Sequence, residues 1–432
     1  MKIHIKNGHV IDPKNNIDAK YDVFIVAGKI AGIGVKPDGF VANQTIDAIG
    51  LTVAPGFVDL SARLREPGSD YQATLNSELL AAAAGGVTSL ACPPDTNPVL
   101  DEPGLVEMLK HRAKLINLAH VYPLGALTRQ LEGKLLTEMH ALTNAGCVGF
   151  SQADATITDT QVMWRAFEYA ATFGYTLFLR AEDYYLAKNG VAHDGEVASR
   201  LGLKGIPAAA EALSIASILR IAFETNARIH LCRLSTAQSV DLVRQAKQQG
   251  VLVTADVSAQ HCHLTDMDIG YFNTHANLKP PLRSTRDKVA LCQGLKDGTI
   301  DVICSDHTPV NDDAKLLPFA EAEAGATGLE LLLPLALKWA ADNKATLFDA
   351  IAKITCNPAS ILGVLGGDLN CHADADICIF NPQTEWKVNA NQLVSKGKNT
   401  PFLGTNMLGK VHHTLLHGQT TYASLLRETV NF

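Results

Sequence analysis

Missing from this chain is any run of about 18 apolar residues, so no transmembrane helix is expected. It also lacks a surplus of positive charge. Against 37 Lys and Arg stand 44 Asp and Glu, a formal net of −7, which argues against nucleic acid or an anionic membrane as the main partner. The nine cysteines include no Cys-x-x-Cys pair. Several of them (Cys92, Cys232, Cys304, Cys378) lie inside strand-like apolar runs, as free thiols do in a reducing compartment. The segment Met1–Gly8 alternates like a strand and lacks the apolar core of a secretion signal, and no internal repeat or low-complexity tract stands out. The expectation is a cytoplasmic globular protein. With 432 residues, 47% of them hydrophobic and 19% charged, one large domain and a minor one are predicted.

Residues 3–12 and 22–34 read as two β segments joined by polar turns, with Ala27-Gly28-Lys29 as a hairpin signal. The C-terminal stretch returns to that style at 375–380 and 409–416. Between them strands alternate with helices. Strands are predicted near 53–60, 87–92, 120–125, 147–151, 176–180, 228–233, 251–257 and 301–305, with helices such as 102–117, 160–173, 237–249 and 284–297. Eight such units predict an α/β fold, a (β/α)8 barrel over 53–366. The chain ends, 1–52 and 367–432, are expected to combine into a small β-sandwich. Side chains just past each barrel strand share one pocket, so those positions are where function is to be read.

The first barrel strand runs Pro55-Gly56-Phe57-Val58-Asp59-Leu60-Ser61-Ala62-Arg63-Leu64-Arg65-Glu66-Pro67. Further along come Cys92-Pro93-Pro94-Asp95-Thr96-Asn97-Pro98, Arg180-Ala181-Glu182-Asp183 and His230-Leu231-Cys232-Arg233-Leu234-Ser235-Thr236. Lys279-Pro280-Pro281-Leu282-Arg283, Ser305-Asp306-His307-Thr308-Pro309, Asn357-Pro358-Ala359 and Asp374-Ala375-Asp376 complete the series. Together these motifs resemble the dihydroorotase branch of the amidohydrolases nearly end to end. The resemblance implies a TIM-type barrel of the amidohydrolase kind. It also implies a one- or two-metal centre held by two histidines of strand 1, a carboxylate or carboxylated lysine of strand 4, a histidine each from strands 5 and 6, and an aspartate of strand 8.

Five of those positions carry other residues. Strand 1 has Ser61 and Arg63 for the two histidines, and strand 4 ends with Gln152 and Ala153 where the family has paired aspartates. Strands 5 and 6 present Arg180 and Arg233, and only Asp306 survives. A catalytic zinc needs about three protein ligands and an open site for water, which one aspartate does not supply. Without a metal, bound water is not drawn from a pKa of about 15.7 toward about 7. The expectation is therefore a chain with no metal and no other cofactor, with Asp306 left without an activated water, and so not an enzyme. The substrate positions are altered as well: Pro93-Pro94-Asp95-Thr96 replaces the family's Met-Pro-Asn-Thr, and Lys279 replaces an asparagine. Arg65 survives, either as a vestigial carboxylate binder or as half of a structural ion pair.

Arg63, Arg180 and Arg233 should converge where the metals would sit, and buried cations need counter-charges. Asp306, Asp59, Glu182, Asp183 and Asp95 are available; Asp154 reads as a turn residue. A salt-bridged plug is the preferred reading of this cluster, and an anion site holding phosphate or carboxylate is the sharper one. His261-Cys262-His263 after strand 7 could offer two imidazoles to one side if the strand alternates there, but a polar strand end is preferred. His230 and His307 read as hydrogen-bonded core residues. The overall pattern resembles the inactive dihydroorotase-like subunits that accompany aspartate carbamoyltransferase. That resemblance implies a noncatalytic subunit of pyrimidine biosynthesis that partners the transferase catalytic chain and homodimerises. The alternatives are an amidohydrolase with a rearranged metal site, at Asp306, His261 or His263, and a small-anion binding protein.

Overall fold

A computed structural model describes residues 1–424. The chain opens with five strands, β1 (Lys2–Asp12), β2 (Ile17–Val26), β3 (Lys29–Ile33), β4 (Gln44–Asp47) and β5 (Thr52–Pro55). The barrel follows with β6 (Phe57–Asp59), β7 (Val87–Cys92), β8 (His120–Ala126), β9 (Gly149–Ser151) and β10 (Thr176–Leu179). After the short pair β11 (Ala192–His193) and β12 (Gly205–Ile206) come β13 (Arg228–Leu231), β14 (Val253–Ser258) and β15 (Val302–Cys304). Three further strands complete the described residues: β16 (Ile377–Lys387), β17 (Asn406–Leu416) and β18 (Gln419–Ala423).

The eight barrel strands pair in the order β15-β14-β13-β10-β9-β8-β7-β6, each parallel to its neighbour. The two ends of that sheet meet beyond the regular strands. Arg63 N–H donates to the His307 carbonyl at 2.8 Å, and His307 N–H donates to that of Ser61 at 3.0 Å. The barrel thus closes at its mouth through the very segment whose motif is altered. Beneath the closure, Asp59 accepts the backbone N–H of Ser305 at 2.7 Å and its hydroxyl at 2.5 Å, so the expected counter-ion Asp59 is spent on fastening strand 1 to strand 8.

Helices sit where apolar periodicity and caps place them. The helix Thr160–Phe173 is capped by the Asp159 carboxylate and ends on Gly174 in the left-handed region. Thr285–Asp297 starts in a capping box of Ser284 with Asp287. The predicted first barrel strand divides at Pro55-Gly56: Thr52–Pro55 pairs with β1 and β16 in the chain-end sheet, and only Phe57 onward belongs to the barrel. Gly56 is required there because a Cβ would lie 2.1 Å from the Thr88 hydroxyl.

The chain ends combine into a small β domain, as expected, and among the described residues its strands belong to a single sheet. They make one eight-stranded sheet ordered β18-β17-β16-β5-β1-β2-β3, with β4 also on β1, around a core that includes Ile3, Ile5, Val23, Ile25, Ile377 and Ile379. β1 is shared between β2 on one side and, in succession, β4 and β5 on the other, so one continuous ladder surrounds that core. Among the described residues no helix is long and apolar enough to cross a membrane, and all nine cysteines are unbridged.

Candidate functional site

A cleft of about 920 Å³ opens at the C-terminal ends of the barrel strands, lined by Arg63, Arg65, Asp95, Asp154, Glu182, Arg233, Lys279 and Asp306 among others. The three arginines predicted to converge do so, and all three are buried. Arg63 Nε donates to Asp95 at 2.8 Å and its Nη2 to Asp154 at 3.0 Å, while Nη1 donates to the Thr308 hydroxyl at 3.1 Å and lies 3.5 Å from Asp306. Arg180 Nη2 donates to Glu182 at 2.8 Å, with Nε 2.9 Å from Asp154. Arg233 joins Asp154 at 2.5 Å and Asp306 at 2.9 Å.

Asp154, which reads as a turn residue in the sequence, is the hub: all three guanidiniums meet its carboxylate. Burial by itself would raise its pKa, but Arg233, Arg63 and Arg180 together hold it well below the carboxylate range. Asp306 goes the other way. Burial outweighs the pull of Arg233 and Arg63 and raises its carboxyl. Four carboxylates (Asp95, Asp154, Glu182, Asp306) thus face three guanidiniums, so the cluster carries no excess of positive charge to recruit an anion. Asp183 is elsewhere, accepting the backbone N–H of Leu186 at the start of the turn Tyr184–Ala187.

The other altered positions are also accounted for. The Ser61 hydroxyl stands 3.5 Å from Asp306. Gln152 is buried and turned sideways, donating to the Thr128 hydroxyl and the Leu131 carbonyl at 2.9 Å each. Ala153 is buried with φ of 49°, and Arg65, Arg233 and Asp306 share left-handed backbone at 63°, 57° and 45°. Such geometry is uncommon outside glycine and clusters where the chain is bent to aim a side chain. Arg65 lines the cleft but is engaged, with Nε on the Pro309 carbonyl at 2.8 Å and Nη2 3.2 Å from Glu323.

These residues do not fit a dication at the family's positions. The one surviving ligand, Asp306, has guanidinium nitrogens at 2.9 and 3.5 Å from the same carboxylate oxygen. A dication about 4 Å from one guanidinium would meet a repulsion of about 8 kcal/mol at an effective dielectric of about 20. The relocated pair at His261 and His263 is not formed either. The chain leaves the strand for a 3-10 turn at Ala259–Cys262, so alternation no longer governs which way those side chains point. His261 is held by the Ser258 hydroxyl at 2.6 Å and the Pro281 carbonyl at 3.3 Å, whereas His263 donates to the Leu335 carbonyl at 2.9 Å. Burial lowers both to about 4, which keeps them neutral. His230 bonds Asp256 and Thr254 at 2.8 Å each, and His307 bonds Glu78 at 2.7 Å.

A family profile described as dihydro-orotase-like matches residues 50–239. A dihydroorotase-like protein of Pseudomonas aeruginosa is 42% identical over 422 residues, covering 98% of this chain and 100% of its own length. The chain belongs to the dihydroorotase-like family. A dihydroorotase of Geotalea daltonii is 40% identical over 422 residues, with 98% of this chain and 99% of that protein covered. Among solved structures, L-hydantoinase from Arthrobacter aurescens superposes with a TM-score of 0.85 at 24% identity over 97% of this chain and 95% of the other, which shows a shared fold. Relatives named dihydroorotase at about 40% identity over nearly the whole chain point to an enzyme and overturn the expectation of a chain that is not one. Counting metal ligands tested a single route to hydrolysis, and the family likeness is wider than that route.

Proposed function

We propose that this dihydroorotase-like chain is a cyclic-amide hydrolase of pyrimidine biosynthesis, with a rearranged site in which fixed guanidiniums and Asp306 do the work. One observation carries the reading: Asp306 is buried at the cleft with a raised carboxyl, held 2.9 Å from Arg233 and 3.5 Å from Arg63. In this reading Asp306 takes a proton from water as the water oxygen bonds to the ring carbonyl carbon. As Asp306 takes that proton its negative charge is lost, and the Arg63 and Arg233 N–H groups that faced it turn to the resulting oxyanion. The ring C–N bond then breaks and the proton on Asp306 passes to the departing nitrogen, giving the open-chain acid. Lys279 on the cleft wall supplies positive charge for an acidic ring substituent, beside Arg65, which is paired with Glu323. The cleft is in the size range of small-molecule sites, about 300–1,000 Å³.

The test is ring opening of dihydroorotate by protein stripped with chelator and checked for metal. Turnover should persist without metal. Asp306→Asn should lower it by about 10²–10⁴-fold, the usual range for a general base. No ring opening of dihydroorotate or of simpler cyclic amides, in either direction, would sink the proposal.

A second reading concerns assembly. The pairing of Ser61 and Arg63 with Cys92-Pro93-Pro94, which resembles barrels that accompany aspartate carbamoyltransferase, supports a complex with the transferase catalytic chain around a homodimer of this one. A cytoplasmic setting suits the nine unbridged thiols. Co-expression with the transferase followed by size-exclusion chromatography should give one co-eluting peak; separate elution would count against it.

A further inference from the structure

At the end of the barrel away from the cleft, three donor-bearing side chains from three parts of the chain meet. His120 opens β8, Asp376 immediately precedes β16, and His417 occupies the turn between β17 and β18. Their ligand atoms all lie within 4.8 Å of one another. His120 Nε2 is 2.9 Å from Asp376 Oδ2, and Asp376 Oδ1 accepts the His417 backbone N–H at 2.7 Å. The two imidazole rings are 4.9 Å apart between centroids and nearly perpendicular, at 85°. Two donors about 3 Å apart match neighbouring ligands on an ion with bonds of about 2.0–2.1 Å.

Accessibility separates this group from the barrel's other candidate, His230, Cys232 and Asp256. In that group both imidazole nitrogens are engaged and Asp256 also accepts the Arg233 backbone N–H at 2.6 Å, all within the barrel core. At the seam the His120 and His417 side chains are 27% and 42% exposed, while Asp376 is nearly buried at 8%. An ion can therefore reach a carboxylate that is already fixed in place. His417 and Gly418 have φ of 49° and 69°, a two-residue hairpin geometry that favours Asn-Gly, yet a histidine stands first. Beside it, Asp374 is tied to Lys29 at 2.6 Å and lies 3.5 Å from the His417 ring, so a fourth oxygen donor flanks the group.

We propose that His120, Asp376 and His417 form a binding site for a divalent transition metal of the zinc class, which clamps the barrel to the chain-end sheet. Imidazole with carboxylate suits Zn²⁺, Co²⁺ or Ni²⁺, and three protein ligands leave room for water. The site is independent of chemistry at the cleft. It is tested on the chelator-stripped full chain by calorimetric titration with Zn²⁺, Co²⁺ absorption and thermal melting. One ion per chain and a raised melting temperature are expected. His417→Asn keeps a residue that tolerates left-handed backbone, and His120→Gln keeps a hydrogen-bonding side chain; each should take the stoichiometry from about one to near zero. Asp306→Asn should leave it at one. Absence of binding by the unsubstituted chain, binding that survives both seam substitutions, or binding abolished by Asp306→Asn would each overturn the proposal. Should the histidine variants melt as unfolded chains before any metal is added, Lys29→Met, which frees Asp374, decides: tighter Zn²⁺ binding supports the site, and unchanged affinity counts against it.

Discussion

Asp154 stands one place beyond the carboxylate that the family supplies at strand 4, and three arginines need it. Removing one partner from a buried ion cluster costs more than the cluster contributes, because the charges left behind keep their desolvation penalty. Asp154→Ala should destabilise the fold by roughly 3 kcal/mol, the low end of the usual range for buried pairs because 28% of the side chain is exposed. Urea unfolding measures it, and a change below about 0.5 kcal/mol, the level of an ordinary surface substitution, would show that the guanidiniums find other partners. At this scale the sequence was half legible. The convergence of Arg63, Arg180 and Arg233 was expected because each stands where the resembling family has a metal-binding histidine, at strand ends that a barrel directs to one place. Which carboxylate sits at their centre did not follow, because Asp154 reaches the middle only through the left-handed turn at Ala153.

Between elements, a buried acid–histidine pair braces the barrel's closure and also fastens the return of the chain. Glu78, from the helix Leu75–Ala84, meets His307 at 2.7 Å and accepts the hydroxyl of Ser395 and the N–H of Lys396. Burial opposes its ionisation, but the His307 contact and the hydroxyls bring its pKa down from 4.5 to about 2. A depressed acid stabilises the fold above its unfolded pKa and loses that contribution as pH falls toward its folded one. The loss should therefore run from about pH 5 to about pH 2 and amount to roughly 3 kcal/mol. Acid titration of folding stability checks it, with Glu78→Gln flattening that part of the curve. Strand and helix positions were legible wherever an apolar run ended in turn residues: β7 and Thr160–Phe173 lie where the pattern puts them. The misplaced boundary at Thr52–Pro55 arose because one continuous apolar run serves two sheets, and hydrophobicity does not record which partner a strand pairs with. The 3-10 turn that separates His261 from His263 was hidden for a similar reason, since a polar strand end and a polar turn have the same composition.

For the molecule as a whole, the chain-end sheet and the barrel are joined by β5 running into β6 and by side chains at the seam, with Asp376 taking part in both. The proposed metal at the seam and the proposed hydrolysis at the cleft are separable: chelation should lower the melting temperature and leave ring opening intact. Loss of both together would mean that the chemistry depends on an ion after all. The left-handed backbone at Ala153, Arg233 and Asp306 has a consequence for redesign. Those turns are set by the path of the main chain from strand to loop, so side chains can be exchanged on them without rebuilding the frame. Histidine at 233, where it accepts left-handed backbone more readily than most residues, and at 63 and 180, which lie outside that region, would release Asp154 and Asp306 from their ion pairs and leave two carboxylates free at the mouth. The distance from this site to a metal centre is then a matter of a few side chains, with the fold already in place.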